Sequence, residues 1–457
     1  MSSNMRTNDD RSRRDGRSGS SGGFSRRSFL KRAGVTTGAA ASASVWMSGI
    51  SRATPSTTTR TGIVLFNRGG MDALSVCSMP NDAEYIAQRS TIKVEPPLPG
   101  ARAWLDGTFA MSPGGVDPVG TLDWIEPYID GHLCFVHGAG MMQQGRSHFT
   151  SMLHMEHGVD PGTPFPPEGW GGRHMSLTPP SGSPVRGFSH GNLMPTSLIG
   201  APQTSPIADV ANLGFPGPEG PPPAVPTAPF REHTISKSYE LTPRVPAMLS
   251  AAAAFATLDT LTAVSYPVPG SGLYPDTPFG NALANTAAII KDPTVHVEMV
   301  HIDLGSWDHH IEQDPNNPGG ILYDILNDLS TSLGAFYQDL GGPAGVDKYL
   351  FLAMTEFGRQ IKENEDAGTD HGYGSLMVAM GSGVHPSSGG SGGSVFREFG
   401  DLASSYDPIN NDALTMTIDY RDVLKEALVN QLSLSSGDFA TVFPGFVPRV
   451  TPPGIIG

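Results

Sequence analysis

The chain has 457 residues, with 29 Lys and Arg against 44 Asp and Glu, for a formal net charge of −15. The first 53 residues hold 10 of those cations and 3 of those anions, leaving 19 against 41 and a net charge of −22 beyond them. So acidic a chain is a poor partner for nucleic acid or an anionic membrane surface, and its roughly 400 remaining residues suit one large domain or two.

Taken in chain order, the first signal is Ser25-Arg26-Arg27-Ser28-Phe29-Leu30-Lys31. Paired arginines in that setting, after a polar leader, fit a bacterial twin-arginine export signal, against the plainer reading of a disordered basic tail. Ala33 to Ile50 is too polar for a stable membrane span, and Ser51-Arg52-Ala53 offers small residues for cleavage. Residues 1–53 are therefore read as a signal peptide. The translocase is the expected partner during export, and the periplasm or the medium the destination. That route carries folded proteins, often already loaded with a metal, which points toward a metalloenzyme.

Gly62-Ile63-Val64-Leu65-Phe66 reads as a buried strand, as does Leu133-Cys134-Phe135-Val136. Further strands are expected over 295–304, 349–354 and 375–380, and helices over 149–157, 246–264, 281–290, 321–340 and 420–432. Apolar strands alternating with helices predict an α/β domain with a mainly parallel central sheet flanked by helices. Its ligand site should lie beyond the carboxyl ends of the strands. This domain is placed at 54–450, with 451–457 as a C-terminal tail. Within it, 158–245 is rich in Pro and Gly and reads as a loop-rich insertion, either packed on the core or capping the site. Gly381 to Ser394 reads as a flexible Gly/Ser loop. Cys77 and Cys134 lie in apolar surroundings where a buried thiol is the default, with a disulfide after export as the alternative.

Most of these strands are flanked by acid, imidazole or hydroxyl groups: Asp72, Ser147-His148, Asp308-His309-His310, Thr355-Glu356 with Arg359, and Thr369-Asp370-His371. Singly, each has an ordinary explanation as a turn residue or helix cap. Together, Asp and His gathered from several strand ends suit one or two divalent ions. A serine at a helix N-terminus sits where an anion is favoured, and an adjacent ion would activate its hydroxyl. The implied chemistry is displacement at phosphorus or sulfur, with Arg146 or Arg359 neutralising charge. Glu356 reads equally as a structural partner of Arg359 or as a metal ligand.

Arg68-Gly69-Gly70-Met71-Asp72, Arg146-Ser147-His148-Phe149, Gly169-Trp170-Gly171-Gly172-Arg173, Ser306-Trp307-Asp308-His309-His310, Thr355-Glu356-Phe357-Gly358-Arg359, Gly368-Thr369-Asp370-His371-Gly372 and Val442-Phe443-Pro444-Gly445-Phe446 occur in that order. This series resembles the exported bacterial family catalogued as domain of unknown function 1501, over roughly residues 60 to 450. That family is grouped with the alkaline phosphatase and sulfatase superfamily. The resemblance implies an alkaline phosphatase-like fold, Ser147 as nucleophile, and Asp72, Ser147, Asp370 and His371 around one ion. It implies Asp308 and His310 around a second. The family's usual Asp-Thr-His has His309 at its middle place here, and His385 stands in a Gly/Ser-rich loop where a further ligand would be sought. The second ion is then absent or uses Glu356 or His309. No Cys- or Ser-x-Pro-x-Arg formylglycine signal surrounds Ser147, which tilts the expectation toward phosphate.

The sequence thus predicts an exported hydrolase of small-molecule or polysaccharide phosphate or sulfate esters, using zinc, manganese or calcium. Ser147 and Arg359 would be its catalytic residues, and Asp72, Asp308, His310, Glu356, Asp370 and His371 its metal ligands. The alternatives are a non-catalytic structural or carbohydrate-binding module on the same fold, or a hydrolase of other substrates.

Overall fold

The computed structural model describes residues 60–117, 122–141, 145–213, 254, 256–384, 394–408 and 411–457. The twin-arginine motif, His385 and much of the proline-rich stretch after residue 213 lie outside them.

The strands are β1 (Thr61–Asn67), β2 (Cys77–Ser78), β3 (Ala110–Met111), β4 (Leu133–Gly140), β5 (Gly187–Ser189), β6 (Thr204–Pro206), β7 (Met299–Leu304), β8 (Tyr349–Met354), β9 (Ser375–Gly381), β10 (Ser394–Phe396) and β11 (Ile418–Asp419). The principal helices are α1 (Ala73–Val76), α2 (Ala83–Gln88), α3 (Ile125–Ile129), α4 (His148–His157), α5 (Trp170–Leu177), α6 (Pro278–Lys291), α7 (Ile321–Asp339), α8 (Tyr420–Glu426) and α9 (Phe439–Val442). Among the described residues, no helix is long and apolar enough to cross a membrane.

The main sheet runs β10-β4-β9-β8-β1-β7-β5-β6, with β11 also on β4; β2 and β3 form a separate hairpin-like pair. β1 is parallel to β7 and β8, and β9 is antiparallel to both β8 and β4. The α/β expectation of a mostly parallel sheet with flanking helices therefore holds. β1 and β8 are buried along their whole length, which is why they read as unbroken apolar runs. Side chains alternate between two cores. Ile63 and Leu65 pack with Leu283 of α6 and Leu333 of α7; Val64 and Phe66 pack with Leu424 of α8 and Phe443 beyond α9.

Because β9 runs against its neighbours, its N-terminus lies at the same edge as the C-termini of β1, β4, β7 and β8. Four connections meet there, because the one that leaves β8 is the one that enters β9.

The described part of the insertion is more ordered than its composition suggests. It supplies α5, and β5 and β6 extend the sheet edge beyond β7. The segment placed as a tail is likewise packed: Ile455 and Ile456 are buried, and the Glu426 carboxylate accepts their backbone N–H groups. Cys77 and Cys134 are free, buried thiols.

Asp72 begins α1, accepting the Leu74 N–H, but its carboxylate is taken up by Arg89 at 2.7 and 3.0 Å and by Gln313 at 2.7 Å. Burial alone would raise this carboxyl; Arg89 and the hydrogen bonds hold it below its ordinary value. Both partners are buried, so removing one strands the other's charge. Asp72→Ala should cost about 3–5 kcal/mol in urea unfolding at neutral pH. Because the folded-state value is depressed, the wild-type contribution is present above the ordinary carboxyl pKa. It should fade as pH falls through the folded value, closing the gap between the two proteins in acid.

Candidate metal centre

Asp308 and His310 leave the C-terminal end of β7, Glu356 and Arg359 follow β8, His371 precedes β9, and His148 opens α4 after β4. Two contacts explain the glycines around the late Asp-His pair. A Cβ on Gly368 would lie 2.2 Å from the His310 carbonyl carbon, and one on Gly372 would lie 2.4 Å from that of Arg359. Only a residue without a side chain lets these loops lie so close. Thr369 N–H donates to the His309 carbonyl at 3.0 Å, fastening the same loops together.

Three donor atoms, from His148, Asp308 and His371, converge, and His310 adds a fourth beside two of them. The Nε2 atoms of His148 and His371 are 2.9 Å apart, and those of His310 and His371 are 3.0 Å apart. Asp308 Oδ1 lies 3.3 Å from His148 Nε2, 3.0 Å from His310 Nε2 and 3.1 Å from His371 Nε2. A tetrahedral ion with bonds of about 2.0–2.1 Å sets its ligands about 3.3–3.4 Å apart. The cluster sits just inside that spacing.

The tautomers settle what these nitrogens offer. His148 Nδ1–H donates to Glu356 Oε1 at 2.6 Å, His310 Nδ1–H to Asp370 Oδ1 at 2.8 Å, and His371 Nδ1–H to the Arg146 carbonyl at 2.8 Å. With each Nδ1 proton so placed, each neutral ring presents an Nε2 lone pair to the common point. This is the outer support that metal-bound imidazoles receive. His148, Asp308 and His371 therefore form a group that fits a divalent ion, with His310 Nε2 3.0 Å from the donor atoms of Asp308 and His371.

Burial alone would raise the Asp308 carboxyl, yet Arg359, His371 and His148 hold it well below the usual carboxylate range. Burial pulls the His148 imidazole down, and the Glu356 carboxylate more than restores it, leaving it above its ordinary value. His371 is lowered, by burial first and then by Arg359 and His148. The Phe357 ring walls one side, with centroids 4.6 Å from His148 and 4.9 Å from His371. The other side is open: the side chains of Asp308, His310 and Asp370 are 45%, 41% and 51% exposed, against 17% for His148.

Of the residues expected from sequence, Asp308, His310 and His371 bring donor atoms to within 3.0–3.1 Å of one another. Glu356 and Asp370 stand behind them, orienting imidazoles. Asp72 is spent on Arg89 instead of joining them. Arg359 is buried and fully engaged: it donates to the carbonyls of Gly69, Gly70, Trp307 and Thr369 and pairs with Asp308 at 2.5 Å. It holds loops with four of its five N–H groups, and the fifth lies 3.5 Å from His310 Nε2. Ser147 is exposed at the start of α4, and its hydroxyl caps no helix N–H. His148 is the ligand that sequence reasoning passed over, although it adjoins the serine that drew attention. Trp170 and Trp307 are buried packing residues.

Wild-type protein should bind one equivalent of zinc or manganese by mass spectrometry of the metal. His148→Ala should lose about a hundredfold or more in affinity by chelator competition, and Glu356→Gln or Asp370→Asn about 10–100-fold.

No curated protein matches the chain. Among solved structures, it is similar to the crystal structure of Ps i-CgsB in complex with k-i-k-neocarrahexaose at 9% identity. That alignment covers 85% of this chain and 72% of that one at a TM-score of 0.32, a likeness too faint to carry an argument. Residues 234–438 match the family model described as "Protein of unknown function (DUF1501)", and that match supports placing the chain in this family.

Proposed function

We propose that the protein is a metal-dependent hydrolase of phosphate or sulfate esters, on an alkaline phosphatase-like variant of the α/β fold. The observation that carries this reading is the convergence of the His148 and His371 Nε2 atoms with an Asp308 oxygen at an edge open to solvent, with His310 Nε2 beside them. A divalent ion held there supplies Lewis acidity toward a phosphoryl or sulfuryl oxygen.

The chain's own residues do the rest. His148, Asp308, His310 and His371 hold the ion, and Glu356, Asp370 and the Arg146 carbonyl keep the rings in the required tautomer. Ser147 Oγ stands at the N-terminus of a ten-residue helix, where free N–H groups favour developing negative charge. Its oxygen bonds to phosphorus or sulfur as the bond to the leaving alcohol's oxygen breaks, and the serine proton passes to that oxygen. Water then cleaves the seryl ester, restoring the hydroxyl and releasing the inorganic acid. The leader at 1–53 would deliver the folded, loaded protein to the periplasm or beyond.

One observation favours a second reading. His310 stands beside the three-residue group, and with it four protein ligands would fill a tetrahedral ion, the pattern of structural zinc sites that a non-catalytic module would keep for stability alone. The two readings part on one experiment. Protein reconstituted with zinc or manganese is assayed on aryl phosphates, phosphodiesters and aryl sulfates. The hydrolase reading expects turnover that His148→Ala abolishes and that Ser147→Ala lowers by about a hundredfold or more. A fully loaded protein inert on the whole panel would instead leave the structural centre. Turnover unchanged by Ser147→Ala would assign the attack to water.

A further inference from the structure

We infer that this site selects singly charged esters, meaning sulfate monoesters or phosphodiesters, over dianionic phosphate monoesters. The inference rests on the metal-dependent reading above and on the charges that surround the cluster.

A divalent ion and Arg359 bring three positive charges to the centre, and Asp308, Glu356 and Asp370 bring three negative ones. Once loaded, the centre has no formal charge left to attract a dianion. The neighbouring arginines add none. Arg146 pairs with both oxygens of Asp412, one at 2.8 Å, and lies over the Tyr373 ring at 4.4 Å. Arg68 is shared by two carboxylates, Glu156 at 3.2 Å and Asp303 at 2.8 Å. Asp370, the most exposed of the three acids, stands at the open side by which a substrate would enter. Each further negative charge on the ligand is therefore repelled, and a loaded site tolerates one such charge better than two. Arg146 is the cation nearest to release, because its guanidinium is held by a single acid and its carbonyl already supports His371.

The test uses ligands that cannot be hydrolysed and measures binding. Full-length protein carrying one equivalent of zinc is titrated calorimetrically with benzenesulfonate, methyl phenylphosphonate and phenylphosphonate, at pH about 8.5 where the last is a dianion. One of the first two should bind at least about tenfold tighter than phenylphosphonate. The better of them tells a sulfate-ester site from a phosphodiester site. Asp412→Asn, which frees Arg146, should tighten phenylphosphonate severalfold while zinc stays at one equivalent. Phenylphosphonate binding as tightly as the monoanions, no binding of any of the three, or an Asp412→Asn protein with unaltered dianion affinity would overturn the inference. In each of those cases bound zinc would leave the metal reading standing, whereas a protein that takes up no zinc defeats that reading first.

Discussion

The buried guanidinium of Arg359 is the constraint from which the rest of the site follows. A charge without solvent is costly unless its hydrogen-bonding capacity is filled. Arg359 fills it with the carbonyls of Gly69, Gly70, Trp307 and Thr369 and with the Asp308 carboxylate. Those groups belong to the loops after β1 and β7 and to the connection between β8 and β9 that carries Arg359 itself. One side chain therefore fixes the relative position of three loops that are distant in sequence. The Asp308 oxygen that faces the three histidines is placed by the same contact.

A second arginine repeats the device one layer deeper. Arg89 binds Asp72 through two N–H groups and reaches the carbonyls of Gln360 and Ile361, the two residues after Arg359. Asp72 thus contributes through scaffold: it anchors the arginine that anchors the loop. Glu356 bridges the layers, accepting the Gly69 N–H at 2.8 Å while it receives the His148 ring proton. Its buried carboxylate is what makes His148 a lone-pair donor toward the cluster. Ligand, orienting acid and loop staple form one connected network, so a change in any of them is felt at the four donor atoms.

Much of this was legible in the sequence. The strands at 61–67, 349–354 and 375–381 declared themselves because both their faces are buried, and full burial leaves an apolar run. The loops that carry chemistry were found for the same reason, since polar residues follow directly where burial stops. Three features were hidden. β5 and β6 are three residues each, too short to show a period among prolines. The direction of β9 leaves no mark in composition, yet it decides that His371 enters from an N-terminus. The division of acids between ligand and support was also invisible. Asp72, Asp308, Glu356 and Asp370 look alike in sequence and differ only in the cation or imidazole that each one meets. His148 was overlooked because a serine at a helix start suggests a nucleophile, and the residue after a cap is seldom weighed.

The crowding of the donors carries its own energetic argument. The imidazole nitrogens of His148 and His310, each about 3 Å from that of His371 and from an Asp308 oxygen, set lone pairs that repel unless protons or a cation lie between them. Protons on Nε2 would make the rings cations, and only with Nδ1 still donating to Glu356, Asp370 and the Arg146 carbonyl. Several imidazolium ions at this separation, beside the guanidinium of Arg359, would replace one repulsion with another. A single divalent ion removes the conflict without disturbing any Nδ1 contact. Its binding energy would then be shared with the loops that bring the donors together, because a preformed site does not exist in the unfolded chain. If a cation binds there, the contacts that gather its donors would also tie these loops to it.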